Sequence, residues 1–288
     1  MEESRELLAS SSVTHRMVTR IKGSKSSQLL DVISVEEPLE IRVVGSRDGQ
    51  AFQKSLSITM RTPGRDMELA AGFLFTEGIL QDCSQIMRIA PCGPVTGVHR
   101  LQNVIKIELV PEVQLDEQRL ERHFYTTSSC GVCGKSSLEA LSVAQCKPLP
   151  DTPPFEAAVI HELPTLMRSA QAVFEQTGGL HAAALLDSTG QLVDLQEDVG
   201  RHNAVDKLIG TRFLIDGLPL TDHLLFLSGR ISFELVQKAL MAGIPIVAAV
   251  GAPSSLAIDL AEAFNITLVG FVRDGRFNLY TGERRILP

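Results

Sequence analysis

Apolar and polar positions alternate differently in the two halves of this chain. From Asp31, two stretches of period two, Val32 to Val44 and Phe52 to Met60, flank the turn signal Ser46-Arg47-Asp48-Gly49. Such a pattern predicts a β-hairpin or a pair of adjacent strands. Upstream, residues 1 to about 30 are rich in Ser, Lys and Arg without apolar periodicity, which predicts a loosely ordered arm. After Pro63-Gly64 the period changes, and Asp66 to Gly78 reads as a capped helix with Leu and Phe in the core. Ile86 to Ala90 and Val104 to Val110 predict a second strand pair, and Leu115 to Phe124 a short helix. The Pro-rich run Lys147 to Pro154 cannot sustain regular structure and marks a boundary near residue 150.

Beyond that boundary strands and helices alternate. Pro164 to Gln176 predicts a helix closed by Gly178-Gly179, His181 to Asp187 and Gln191 to Leu195 a hairpin, and Gly200 to Ile215 another helix. Leu224 to Leu227 then runs into Ser228-Gly229-Arg230, and Ile246 to Val250 into Gly251-Ala252-Pro253-Ser254-Ser255. Thr267 to Val272 ends at Arg273-Asp274-Gly275-Arg276. The expected fold class is α/β with a partly parallel sheet, preceded by a strand-rich α+β region. The expected divisions are an arm at 1–30, the α+β region at 31–150 and the α/β domain at 151–288.

Composition narrows the class. With 44% hydrophobic residues the chain can bury a core without covalent staples. Its five cysteines are an odd number, and the N-terminus lacks a basic flank followed by an apolar stretch, so reduced thiols and a cytoplasmic location are expected. A net charge of −7 disfavours broad binding to nucleic acid, so an anionic ligand has to be held locally.

Two sets of residues are suited to chemistry. The three strand-end loops supply Ser228, Gly229 and Arg230, then Ser254 and Ser255, then Arg273 and Arg276; hydroxyls, backbone amides and guanidiniums together suit a phosphate. The polar run Glu197-Asp198-Val199-Gly200-Arg201-His202-Asn203 suggests a site edge, although Asp198 alone reads as a helix N-cap, and His202 and His181 as hydrogen-bonded, partly buried histidines. The second set is Cys130-Gly131-Val132-Cys133-Gly134-Lys135, two thiols on a glycine-flanked turn beside a cation that favours thiolate. Half a zinc site, a redox dithiol and a persulfide carrier all fit this spacing, and spacing alone does not choose among them.

Several stretches occur in one order from about residue 35 to the C-terminus. They are Leu69 to Gly78, Cys130 to Gly134, Gly179 to Ala184, Glu197 to Lys207 and Leu268 to Phe271. Together they resemble the formate dehydrogenase accessory sulfurtransferase family. The resemblance implies a cytoplasmic, homodimeric maturation factor and sulfurtransferase. It would take sulfur from a cysteine desulfurase as a persulfide and pass it to the molybdenum cofactor, a bis(molybdopterin guanine dinucleotide), for formate dehydrogenase. Cys130 matches the persulfide-bearing cysteine and Cys133 its companion. The cofactor-binding stretch maps onto Phe271, Val272, Arg273, Asp274, Gly275 and Arg276. A three-layer C-terminal domain similar to the cytidine deaminase fold is also implied, without deaminase activity, because no glutamate follows His181. The rival reading is a non-catalytic chaperone that only carries the cofactor.

Overall fold

The computed structural model describes residues 12–47, 50–97, 99–113, 146–152 and 154–288. Four strands, β3 (Glu37–Arg47), β4 (Gln50–Arg61), β5 (Ile86–Thr96) and β6 (Leu101–Leu109), form a sheet of order β4-β3-β6-β5. Its β3–β4 hairpin is the one the alternation predicts, and β3 runs parallel to β6. A six-stranded sheet is built from β8 (His181–Leu186), β9 (Leu192–Asp198), β10 (Leu224–Leu227), β11 (Ile246–Ala249), β12 (Thr267–Arg273) and β13 (Arg276–Thr281). Its order is β13-β12-β11-β10-β8-β9, with β10, β11 and β12 parallel and antiparallel strands on both flanks. This is the mixed α/β architecture that the sequence predicts. A short parallel pair, β7 (Phe155–Glu156) and β14 (Ile286–Leu287), ties the start of this half to its end.

Among the described residues six α-helices pack on these sheets: α1 (Asp66–Thr76), α2 (Ala157–Ala170), α3 (Ala172–Thr177), α4 (Arg201–Phe213), α5 (Phe233–Met241) and α6 (Ser255–Ala263). Successive strand residues point to opposite faces. Accordingly Ala182, Ala184, Phe226 and Ala248 meet Ile160, Leu163 and Met167 of α2. Their neighbours Ala183, Leu185, Leu225 and Val247 join the cluster that holds Val205, Leu208, Val236 and Leu260 of α4, α5 and α6. Helices therefore cover both faces, as the parallel centre of the sheet requires. The same cluster continues through α1 to Leu39, Ile41, Ile105 and Ile107 of the four-stranded sheet, so one core spans both halves of the chain.

The joint between the halves is the crossing of α1 and α4. A methyl group added at Gly72 would overlap the Asp206 carbonyl and lie 2.8 Å from Gly210 N; one added at Gly210 would overlap the Glu68 carbonyl and lie 2.7 Å from Gly72 N. Beside this backbone contact, Lys238 Nζ of α5 donates to Asp206 Oδ1 and Thr76 Oγ1, both at 2.9 Å, and to Glu77 Oε1 at 3.2 Å. Thr76 Oγ1 also donates to Asp206 Oδ1 at 2.8 Å. Burial pushes the Asp206 carboxyl up to about 6, against the pull of Lys238. Desolvation opposes the charge on Lys238, but Asp206 and Glu77 outweigh it and hold the ammonium above its ordinary range.

Several expectations need correction. Residues 13–30, read as part of a loose arm, belong to an antiparallel ribbon of β1 (Val13–Lys22) and β2 (Lys25–Ser34), and the strand expected from Val32 to Val44 is divided between β2 and β3. His15 and Thr19 break the period-two signal in β1, and the apolar positions match only across the pair, as where Met17 faces Leu30. Helix α2 begins at Ala157 rather than at Pro164, which sits inside it. No side chain caps α1; Arg65 precedes it at φ 59°. The stretch after β12 is a hairpin whose two-residue turn, Asp274-Gly275, has φ of 53° and 68°, the type I′ pattern that suits Asp-Gly. The helix expected at Leu115 to Phe124 lies outside the described residues. Among those residues no helix is long and apolar enough to cross a membrane.

Gly210→Ala is expected to destabilise the protein by about 2 kcal/mol or more through overpacking, opposite in sign to the ~1 kcal/mol that alanine gains over glycine in an open helix. A shift of the urea midpoint to higher concentration would contradict the close crossing. Lys238→Met leaves the Asp206 carboxylate buried without its cation and should cost about 3–5 kcal/mol, much of it recovered in Lys238→Met/Asp206→Leu. Urea unfolding of the two single variants and the double variant measures this coupling.

Candidate functional site

Sheet register gathers the predicted chemistry at one edge. Parallel strands β10, β11 and β12 end there, whereas antiparallel β8 begins there: Ser228 N donates to Ala182 O at 3.0 Å, and Ser228 Oγ accepts from Ala182 N at 2.9 Å. Strand β9 ends there too, since Asp198 pairs with His181. Helices α4, α5 and α6 start directly beyond β9, β10 and β11, so three helix N-termini with their unpaired amides and positive dipole ends share this edge.

Backbone bonds stitch the strand-end loops into one surface. Gly251 N donates to Gly229 O and Phe271 N to Gly251 O, each at 3.1 Å; Ile231 N donates to Ala252 O and Ser254 N to Ile231 O, each at 3.0 Å. A side chain at Gly251 would come within 2.7 Å of Gly229 O, so only glycine permits this approach. Ser254 Oγ caps α6 by accepting from Ala257 N at 3.3 Å, and Ser255 and Arg230 are exposed. Phe271 adopts φ 56°, with the Arg273 guanidinium over its ring at 5.6 Å. Arg273 and Arg276 face each other across the exposed Asp274-Gly275 turn. Val272, by contrast, turns its side chain into the α2-side core and is fully buried. Its contribution at the edge is therefore confined to its backbone.

The polar run at Glu197 is held from below. Asp198 is fully buried: its Oδ2 pairs with Lys207 Nζ at 2.7 Å and accepts from Thr62 N at 3.2 Å. Its Oδ1 accepts from Gly200 N at 2.8 Å and from Asn203 Nδ2 at 3.0 Å. The N-cap position belongs to Gly200, so Asp198 is a buried anchor rather than the cap that the sequence predicts. Lys207 Nζ also donates to Thr62 O at 2.8 Å and to Glu197 O at 3.3 Å, fixing both sides of the turn to the end of β4. Glu197 accepts from Val173 N and Phe174 N at the start of α3; burial raises its carboxyl even though those amides oppose the shift.

This anchoring leaves Arg201 and His202 at the first turn of α4. Burial, assisted by Arg201, lowers His202 to about 4, so its imidazole is neutral near pH 7; its Nε2 lies 3.3 Å from Ser232 Oγ at the start of α5. Burial and Arg201 lower His181 as well, and a methyl at Gly229 would lie 3.3 Å from His181 Nδ1. Arg201 Nε is buried and has no hydrogen-bond partner among the described residues. A fixed cation, two neutral imidazoles and helix N-termini form a surface that favours an anion. Arg201 was legible only as part of a polar run. Thr62 and Ser232 gave no sequence signal, because their roles arise from contacts across the fold. Asn203 and Lys207, by contrast, are spaced i, i+4 and so share the helix face that meets Asp198.

Cys130 and Cys133 lie outside the described residues. An open groove of about 850 Å³ between α2 and α3, lined by Pro164, Arg168, Gln171 and Glu175 among others, shares no residue with the strand-end edge. Its position and open form make it a poor rival to that edge as a site for a phosphate ligand.

Comparison with known proteins follows the geometry. Residues 34–287 match the family model described as the FdhD/NarQ family. The sulfur carrier protein FdhD of Streptomyces avermitilis is 50% identical over 94% of each chain, and that of Mycobacterium tuberculosis is 46% identical over 94% of this chain and 98% of its own. A crystal structure of a candidate formate dehydrogenase accessory protein from Desulfotalea psychrophila superposes with a TM-score of 0.73 at 25% identity, covering 96% of this chain and all of that one. With its mixed α/β fold and a family match running almost from β3 to the C-terminus, this chain belongs to the FdhD/NarQ family.

Proposed function

We propose that the chain is a sulfurtransferase in formate dehydrogenase maturation, with Cys130 as the carrying thiol and the strand-end edge as the seat of the sulfur-accepting substrate. The observation that carries this reading is the kinship with proteins named sulfur carriers over 94% of the chain. In the first step the Cys130 thiolate attacks the terminal sulfur of a persulfide on a cysteine desulfurase. A new S–S bond forms on Cys130, the donor's S–S bond breaks, and the donor cysteine leaves as thiolate. That sulfur departs as sulfide only if two electrons reach it. Cys133 supplies them when its thiolate attacks Cys130 Sγ and closes a disulfide.

The acceptor is the molybdenum cofactor as bis(molybdopterin guanine dinucleotide), whose pyrophosphates require the cationic, amide-rich edge. Buried Arg201 Nε and the close Gly229–Gly251 backbone suit such a group, with Ser228, Arg230, Ser254, Ser255, Arg273 and Arg276 around them. His181 and His202 stay neutral and neither repel nor neutralise it.

Cys130→Ala is expected to abolish activation of formate dehydrogenase while cofactor binding persists. Peptide mass spectrometry after incubation with a desulfurase should find the added sulfur on Cys130 in the wild type. A parallel fall in binding and activation would favour the chaperone reading, and added sulfur on another cysteine would overturn the assignment. Arg201→Ala should weaken binding of guanosine diphosphate roughly tenfold to a hundredfold, the loss of a charge-assisted phosphate contact. Titration calorimetry showing unchanged affinity in Arg201→Ala, but a loss in Arg273→Ala/Arg276→Ala, would move the phosphates to the β12–β13 turn.

A further inference from the structure

One group on the strand-end edge is out of keeping with the rest. Its arginines and helix N-termini favour an anion, yet Glu234 stands in the first turn of α5 with 51% of its side chain exposed. The other carboxylates nearby are engaged. Glu197 accepts from two amides of α3, Asp198 pairs with Lys207, and Glu77 pairs with Lys238. Asp274 lies on the exposed two-residue turn that follows β12.

Glu234 is held from behind. Burial opposes its charge, but the Ser232 hydroxyl, its own backbone N–H, His202 and Arg201 outweigh that and keep the carboxyl below its ordinary range. It is therefore ionised near pH 7. An ionised carboxylate only accepts, so the Ser232 hydroxyl donates to it. Ser232 Oγ in turn lies 3.3 Å from His202 Nε2, which then carries the imidazole proton. His202, Ser232 and Glu234 form one chain of bonds that ends in an oriented, charged and half-open carboxylate.

Such a group repels a phosphate and pairs with two adjacent N–H donors. A nucleotide has an end of each kind: its phosphates require cations, whereas its base is uncharged and is read through donors and acceptors. Guanine alone among the nucleobases sets a ring N–H beside an amino group. Adenine turns a lone pair towards the same position, and hypoxanthine keeps the ring N–H without the amino group.

We propose that Glu234 selects guanine at this edge, its two carboxylate oxygens accepting from guanine N1–H and from the 2-amino group. The proposal rests on the reading of the edge as the seat of a guanine dinucleotide, and adds the residue that tells this base from others. Arg201 and the remaining cations meet phosphate and are blind to the base. A glutamate in a first turn also complements the helix dipole, and that role is equally blind to it.

Titration calorimetry of the full chain with the diphosphates of guanosine, inosine, adenosine and xanthosine tests the assignment. The wild type should bind guanosine diphosphate about tenfold more tightly than inosine diphosphate, the loss of one hydrogen bond to a charged group, and about a hundredfold more tightly than adenosine diphosphate. Glu234→Gln, nearly the same in shape, should lose most of that preference and gain affinity for xanthosine diphosphate. Its amide nitrogen donates to the oxygen that replaces the 2-amino group, while its carbonyl oxygen still accepts from N1–H. A role confined to the helix dipole produces no such gain. Equal binding of the guanosine, inosine and adenosine diphosphates by the wild type overturns the proposal and leaves the edge a phosphate site. An unchanged preference for guanosine diphosphate in Glu234→Gln overturns it as well. A wild type that binds none of the four overturns the reading of the edge itself, and the proposal with it.

Discussion

Where α1 crosses α4 no side chain separates the two backbones, and much of the molecule depends on that contact. Gly72 and Gly210 let the helices meet at van der Waals distance, which brings Thr76 and Glu77 of one half to Asp206 and Lys238 of the other. Buried ion pairs add little stability relative to apolar residues, but breaking one leaves a stranded charge, so they favour one arrangement over its neighbours. The glycines set the distance and the ions set the register. Farther along the same interface Thr62, at the end of β4, reaches Asp198 and Lys207 across the halves. Separating the helices by one methyl group would loosen that second set of bonds as well, and with it the turn that presents Arg201 and His202.

The strand-end edge shows how a generic α/β property becomes particular. Any such sheet gathers loops at the carboxyl ends of its parallel strands. Here the flank adds His181 and the Glu197–His202 turn to the same edge, because β8 runs opposite to β10 and so begins there, while β9 reverses again and so ends there. Burial holds both histidines neutral beside Arg201, so the positive charge comes from guanidinium and helix ends, which do not titrate near neutrality.

Alternation predicted the β3–β4 hairpin, whereas the three parallel strands were legible as short apolar runs closed by glycine turns, buried on both faces because helices cover each side. Periodicity missed the β1–β2 ribbon, whose pattern is split between two strands, and placed the start of α2 at a proline that lies within the helix. Of the expected phosphate residues, the loop members do meet at one edge, whereas Val272 faces the core for the same reason that it reads as strand: alternate residues point inward. Asp198 was misread because a carboxylate ahead of a helix is ordinarily a cap, and only the fold reveals the buried lysine nine positions later that claims it. Thr62 and Ser232 could not be found locally, since their partners lie far away in sequence.

The rigid joint also fixes both ends of the segment that bears the thiols. Val113, whose N–H donates to Val110 O, follows the four-stranded sheet; Cys146, with Sγ 3.7 Å from Met241 Sδ, and Leu149, bonded to Phe264 O, sit on the six-stranded unit. Cys130 is seventeen positions from the first anchor and sixteen from Cys146. Even a fully extended chain of that length reaches no farther than about 60 Å. Both anchors belong to the same chain as the strand-end edge, so a group carried on that segment, such as the sulfur proposed for Cys130, is tethered to the edge by covalent connectivity. Such a tether acts through chain length and through two anchors that one glycine crossing keeps in place, and not through how dilute the protein is in the cell.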